Sequence, residues 1–340
     1  MTISLNTLLI LISLLLSKGF QQGNDNPVKP AFIVPDNGTV ADAFNAAQAR
    51  QDTTARFVIF IRNGSYQLSG DKGKTIRVEG VDYPSPITTL SAPNVSIIGE
   101  SMDSTILWNN PEHEGIDITA TLLLNPRAIN TIIENLTLKN AYEYNERNFA
   151  GRAVALQDQS TGTFCRRVKL LSHQDTYYSN NNAGDFLFED CELHGTVDFI
   201  CGGGDVLFRH CRIVLEDRNK ADCITAPGVP RKNGYVFVDC TIDGSPSQDG
   251  RYSLGRAWKD GSRCQYIRTR MNIIPRKEGW TVMRDYIHPG RMAEYGSTDH
   301  QGNNVDMSAR RSVWGNDSLR VNINPLLSPQ EAEKLATGHF

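Results

Sequence analysis

The sequence predicts an all-β solenoid: a single-stranded right-handed parallel β-helix with a short helix toward each end. Two observations carry this expectation. A short unit recurs, as "FCRRVKLL" from Phe164, "FEDCELHG" from Phe188, "FRHCRIVL" from Phe208 and "FVDCTIDG" from Phe237. Each has a cysteine and a strand of alternating apolar residues. The steps from Cys165 through Cys191, Cys211 and Cys240 to Cys264 are 26, 20, 29 and 24 residues. A period in the twenties, built from strands rather than helices, marks coils that stack on one another and bury one continuous face.

Taken in chain order, the apolar run Leu8 to Leu16 is too short to cross a bilayer and precedes a polar segment ending at Pro30. It reads as a secretory signal, about residues 1–22, which would place the protein outside the cell or in a periplasm. The mature domain then covers 23–340, and residues 31–327 carry no linker or low-complexity break. "ADAFNAAQARQ" from Ala41 predicts the first helix. "NVSIIGESMDSTIL" from Asn94 and "NTIIENLTLKN" from Asn130 continue the strand theme. "SPQEAEKLA" has Ser328 as N-cap, Pro329 in the first turn and Glu331 three residues after the cap, so a helical tail over about 328–340 closes the chain. Of seven cysteines, an odd count leaves at least one unpaired. The repeat suggests an inward ladder of reduced thiols used as small apolar packing groups. No Cys/His spacing suits zinc.

With 35 basic and 38 acidic side chains, a formal net charge of -3 and no block of like charge, the chain is a poor fit to nucleic acid or an anionic membrane surface. A solenoid with covered ends is expected to be a monomer.

The chemistry centres on "HGTVDFICGGGD", where Asp198 interrupts an apolar run. A buried carboxylate is costly unless hydrogen bonded or held for reaction. Asp175, in "HQDTYY", lies 23 residues earlier, one coil away, so the two carboxyls are expected about one strand spacing, ~5 Å, apart. Such a pair does not ionise together readily and supplies an acid and a base. Spacing alone also suits a retaining glycosidase or a structural pair of aspartates. Gln174 offers an amide to an oxyanion, and "YSLGRAWK" offers Arg256 as a cation and Trp258 as a plate for a sugar ring.

"HQDTYY", "GTVDFICGGGDVLFRHC" and "LGRAWK", in this order, resemble the signature segments of the pectin methylesterase family. Further likeness runs through "FVIFIRNGSYQ" from Phe57, "GRAVALQ" from Gly151 and "EYGSTDHQGNNVDMSARRSVW" from Glu294. The resemblance implies a parallel β-helix that hydrolyses methyl esters of polygalacturonate, with methyl-esterified homogalacturonan as its polymer partner and no metal or organic cofactor. It implies Asp198 as nucleophile, Asp175 as acid and then base, Gln174 at the oxyanion, Arg256 holding Asp198 charged, and Trp258 against the sugar. Tyr178 and Phe199 are expected to line the cleft, and His173, beside it, is expected to be a surface residue at a strand start.

Three departures bear on substrate. Arg152 stands where the family pattern has a second oxyanion glutamine, so it serves either an oxyanion or a free carboxylate on the adjoining sugar. Ala257 replaces a proline. Cys201 and Gly203-Gly204 replace bulkier residues, which is expected to open space near Asp198. Alternatives are an esterase for another esterified uronate polymer, a β-helix lyase or polygalacturonase, and a silent glycan-binding β-helix. A lyase would want a calcium site of clustered acids, for which those near Asp198 are too few.

Overall fold

The computed structural model describes residues 29–143, 151–218, 220–285 and 287–338. The apolar run Leu8 to Leu16 and the signal boundary lie outside these residues. Within them the chain winds as a parallel β-helix. One continuous sheet of 17 strands carries two faces, because the nine-residue strands Ile132–Asn140 and Thr163–Leu171 each run through both. A second sheet of eight strands forms the third face, in the order of the chain from Thr88–Leu90 to Trp280–Val282. Every strand pairing in these two sheets is parallel, and antiparallel pairs occur only as two hairpins outside them among the described residues.

The bend between the two faces of the long sheet is made by one residue per coil in the left-handed region: Asn135, Arg167, Asp190, His210, Asp239 and Arg268, with φ from 49° to 54°. The flanking register places these residues in successive coils at one column. Asn, Asp and His tolerate this conformation better than other side chains with a Cβ. Inside, the coils are held by stacked rings: Phe208 on Phe237 and Phe237 on Tyr266 have centroids 4.5 and 4.4 Å apart, both nearly coplanar.

The cysteines are all buried and reduced, but they do not form one ladder. Cys191, Cys211 and Cys240 occupy equivalent places just after the bend. Cys165 instead pairs with Phe188, in line with the Phe208, Phe237 and Tyr266 stack, and Cys264 pairs with Tyr235 in the column beside it. Alignment on the bend, which backbone hydrogen bonding dictates, overrides alignment on the cysteine.

Helix α1 (Val40–Ala49) starts at a Thr39 capping box with Asp42 and buries Val40, Ala43, Phe44 and Ala47 against the first coil. Helix α2 (Pro329–Thr337) has the expected Ser328 and Glu331 capping box. It lies against the outer flank of the long sheet, with Ala332 and Ala336 on Leu207, Val236, Val238 and Ile267, rather than across the open end. Near that end the fully buried Trp314 packs into the core, and Arg310 donates to Glu294 at 2.6 Å with both side chains essentially inaccessible.

Candidate active site

The site sits on the eight-stranded sheet, where Tyr177 pairs with Ile200 and Tyr178 with Cys201. Extending that register two residues back puts Asp175 opposite Asp198, and the Asp175 amide donates to the Val197 carbonyl at 3.3 Å. Both aspartates are left-handed, at φ 61° and 50°. Asp198 lies in a one-residue bulge, since Val197 pairs with Cys223 while Ile200 pairs with Thr225. The bulge answers why an acid interrupts this strand: alternation is broken there, so the carboxyl leaves the coil while Phe199 and Ile200 both stay in the core. The left-handed turn at Asp175 does the same for its neighbour Gln174, letting both face the cleft although adjacent strand residues otherwise point apart.

Arg256 reaches Asp198 from two coils on. Its Nε donates to Oδ1 at 2.8 Å and its terminal nitrogen to Oδ2 at 2.5 Å, a bidentate clamp. Asp198 is 5% exposed, so burial raises its carboxyl above the ordinary value, while the Arg256 bonds pull it back. Arg256 is raised in turn: burial would lower it, but the Asp198 carboxylate outweighs burial. Asp175 has no such clamp. Burial first, then the neighbouring Asp198 charge, pushes it up to about 8, so it carries a proton at neutral pH. One environment thus yields a charged carboxylate and a protonated one a strand spacing apart. Each also meets a thiol in the coil that follows, Cys201 for Asp175 and Cys223 for Asp198.

Gln174 and Arg256 line one cleft of about 350 Å³. Arg152 pairs with Gln174 through a backbone bridge, and its guanidinium is clamped by Glu114, with two nitrogens 2.6 Å from the two carboxylate oxygens. Its charge still lowers Asp175 somewhat. Trp258 is half-buried on the flank beside Tyr178, ring centroids 6.1 Å apart, with Ile116, Leu123 and Met283 around them. Lys259 Nζ lies 5.7 Å from the Trp258 ring centre.

Three sequence expectations need correcting. Phe199 does not line the cleft; it is wholly buried and packs inside the coil. His173, expected at the surface, is half-buried, and burial lowers it while the Glu216 charge raises it in part. Gly203 and Gly204 do not open space: a Cβ on Gly203 would sit 2.7 Å from the Val229 carbonyl, and one on Gly204 2.6 Å from that of Asn181. The second acid of the motif, Asp205, is structural, accepting the amides of Lys232, Asn233 and Gly234 at 2.8 to 2.9 Å. Sequence reading missed Glu114, Cys223, Asp222 and Arg276, which reach the site from loops or from the row beside Asp198. Among the described residues, no group of three or more His, Cys, Asp and Glu side chains is placed to hold a metal ion.

A family model described as Pectinesterase matches residues 35–340, which is most of the chain. The chain belongs to the pectinesterase family. A probable pectinesterase of Arabidopsis thaliana is 28% identical over 289 residues, covering 78% of this chain and 66% of its own length. A pectinesterase of Petunia integrifolia is 26% identical over 253 residues, covering 71% and 61%. The chain therefore spans less than two thirds of the length of these pectinesterase relatives. Among solved structures, the pectin methylesterase from carrot superposes with a TM-score of 0.69 at 21% identity, over 91% of this chain and 90% of that one. That from Aspergillus niger gives 0.67 at 20%, over 93% and 97%. Another pectin methylesterase, solved with a bound hexasaccharide, gives 0.65 at 20%, over 90% and 95%. These pectinesterase structures share the parallel β-helix.

Proposed function

We propose that this protein hydrolyses the methyl esters of polygalacturonate, releasing methanol and leaving free carboxylates on an uncut polymer. The observation that carries the reading is the unequal pair: Asp198 held as a carboxylate by a bidentate arginine, and Asp175, one coil away, held protonated. Membership of the pectinesterase family supports it. So does the likeness to a pectin methylesterase solved with a hexasaccharide.

Asp198 attacks the C6 carbonyl, and the carbonyl π electrons move to oxygen, where Gln174 donates a hydrogen bond. On collapse the bond to methoxy oxygen breaks, and that oxygen takes the Asp175 proton to leave as methanol. The acyl-enzyme is a mixed anhydride on Asp198. Water then attacks the same carbonyl and gives its proton to Asp175; the anhydride bond breaks, restoring the Asp198 carboxylate and leaving a uronic acid that ionises. Trp258 and Tyr178, among Ile116, Leu123 and Met283, offer an apolar flank to the ring and methyl group. Arg152, clamped by Glu114, acts on Asp175 through its charge.

Methanol release from highly methylated pectin tests this directly, with polymer length followed in parallel. Wild type is expected to release methanol without shortening the chains, and Asp198→Ala and Asp175→Ala to release none above background. Methanol release that survives in Asp198→Ala would refute the acyl-enzyme. We further propose an exported monomer, tested by fractionating expressing cells and by light scattering of the secreted protein.

A further inference from the structure

One histidine outside the reacting pair is held between two carboxylates. His194 lies on strand Glu192–Gly195, shortly before Asp198. Its Nε2 is 2.6 Å from a Glu192 oxygen, and its Nδ1 bonds a Glu216 oxygen on the coil that follows. A neutral imidazole carries one N–H and satisfies one of these acceptors, whereas the imidazolium donates to both. The side chain is only 15% exposed, so water replaces neither bond well.

The surrounding charges suit the cation. Glu192 also meets Lys169 of the preceding coil at 3.3 Å and Arg212 of the following one at 3.1 Å. Lys169 in turn reaches Asp103, and Arg212 reaches Asp243, so charges alternate in sign along this outer face. His173, whose neutral form burial favours, and Lys139 beside it complete the titratable groups around the ring. The His194 bond holds Glu216 below the usual carboxylate range. Burial raises Glu192, but His194, Arg212 and Lys169 together lower it further.

The ring joins two successive corners that lead into the site. On its own coil, the His194 carbonyl accepts the Thr176 hydroxyl at 2.8 Å, next to Asp175, and the chain continues through Thr196 to Asp198. On the following coil, the Glu216 amide donates to the Gly195 carbonyl at 2.8 Å, and from there the chain carries Arg218 and Asp222 to the cleft.

We propose that His194 is a pH-dependent brace: as imidazolium it ties the Asp198 coil to the cleft-lining chain that starts at Glu216, and as the neutral ring it releases one carboxylate. The added stability is present while the ring is protonated and both carboxylates are charged, and it is lost as pH rises through the titration of His194. Its consequence rests on the esterase reading: ester hydrolysis releases acid, so the brace tightens as product accumulates.

Hydrogen exchange on the resting protein tests the brace without substrate. After correction for intrinsic exchange, protection of the Glu216 amide is expected to fall roughly threefold from about pH 5.5 to about pH 8, the weight of one partly exposed ion pair. In His194→Gln, which still hydrogen bonds but takes no proton, protection is expected to be low at both pH values and their ratio about 1. Asp175 titrates in part of this range but is intact in the variant, so an effect of Asp175 would persist there. Equal protection at both pH values in wild type, or an undiminished ratio in His194→Gln, overturns the proposal. Should His194→Gln fail to fold, Glu216→Gln is expected to flatten the ratio, since its neutral amide pairs with either form of the ring, and an undiminished ratio overturns the proposal equally. The expected exchange without any methanol release supports the brace and sinks the esterase reading alone.

Discussion

Replacing Arg256 with methionine keeps its bulk and removes both bonds to Asp198. Each is a charge-assisted hydrogen bond worth ~1.5 kcal/mol at the low end of its range, the end chosen because water screens part of the pair. The Arg256 side chain is 28% exposed. Together they amount to ~3 kcal/mol, which at 1.36 kcal/mol per pH unit corresponds to about 2 units. Asp198 is already raised by burial, so losing the clamp raises it further. In a profile of kcat/KM against pH, the acid limb reports deprotonation of the nucleophile, and it is expected to move up by about 2 units. Methanol release just above the wild-type limb then falls roughly 100-fold and recovers in part as pH increases. The alkaline limb, set by Asp175 near 8 in wild type, moves up as well, because Arg256 also lowers Asp175. The two limbs belong to the coupled pair, so their joint displacement is the quantity to fit. An acid limb within ~0.3 unit of wild type, with rate lost evenly at all pH values, would show that Arg256 does not hold the nucleophile charged.

Three further outcomes follow from the same geometry. Asp175 has a folded value near 8 against an ordinary value near 4, so the folded state binds the extra proton and wild-type stability declines as pH rises from about 4 to about 8. Asp175→Asn removes that slope: its melting temperature should exceed wild type by roughly 3 °C more at pH 8 than at pH 5, about 2 kcal/mol after allowance for coupling, and equal slopes would contradict a buried neutral acid. Glu114→Gln frees the Arg152 charge to act on Asp175, so the alkaline limb of methanol release should move down by about half a unit, and an upward shift would reverse the assigned role. Gly204→Ala puts a Cβ at φ 81° against the Asn181 carbonyl, costing about 2 to 3 kcal/mol in chemical denaturation, and a loss below ~0.5 kcal/mol would mean that the turn gives way easily.

The coil period made the fold legible, because parallel stacking forces each turn of chain to present strands at equivalent places. The same logic brought Asp175, Asp198, Gln174 and Arg256 together from sequence alone, since all four belong to strands of one sheet or the turns that lead into them. Register within a coil was harder to read. Cys165 follows its phenylalanine by one residue and Cys191 by three, and the bend rather than the thiol decides which residues stack. Phe199 was misplaced because family position says nothing of the bulge that keeps it inside. Glu114, which clamps Arg152, and Arg276, which lines the cleft, left no signal, for they lie on segments without periodicity, where contact depends on the path of a loop.

Asp175 and Asp198 stand at the same left-handed place in consecutive coils. Their separation is therefore a lattice constant of the sheet, as a rung spacing is of a ladder, and owes nothing to the turn that joins them. Residues Asn180 to Gly184 can lengthen or shorten without moving either acid. Turns that do border the cleft would, if varied, change which sugars meet it while the reacting pair keeps its interval, so substrate range and chemistry can diverge independently in a molecule wound this way.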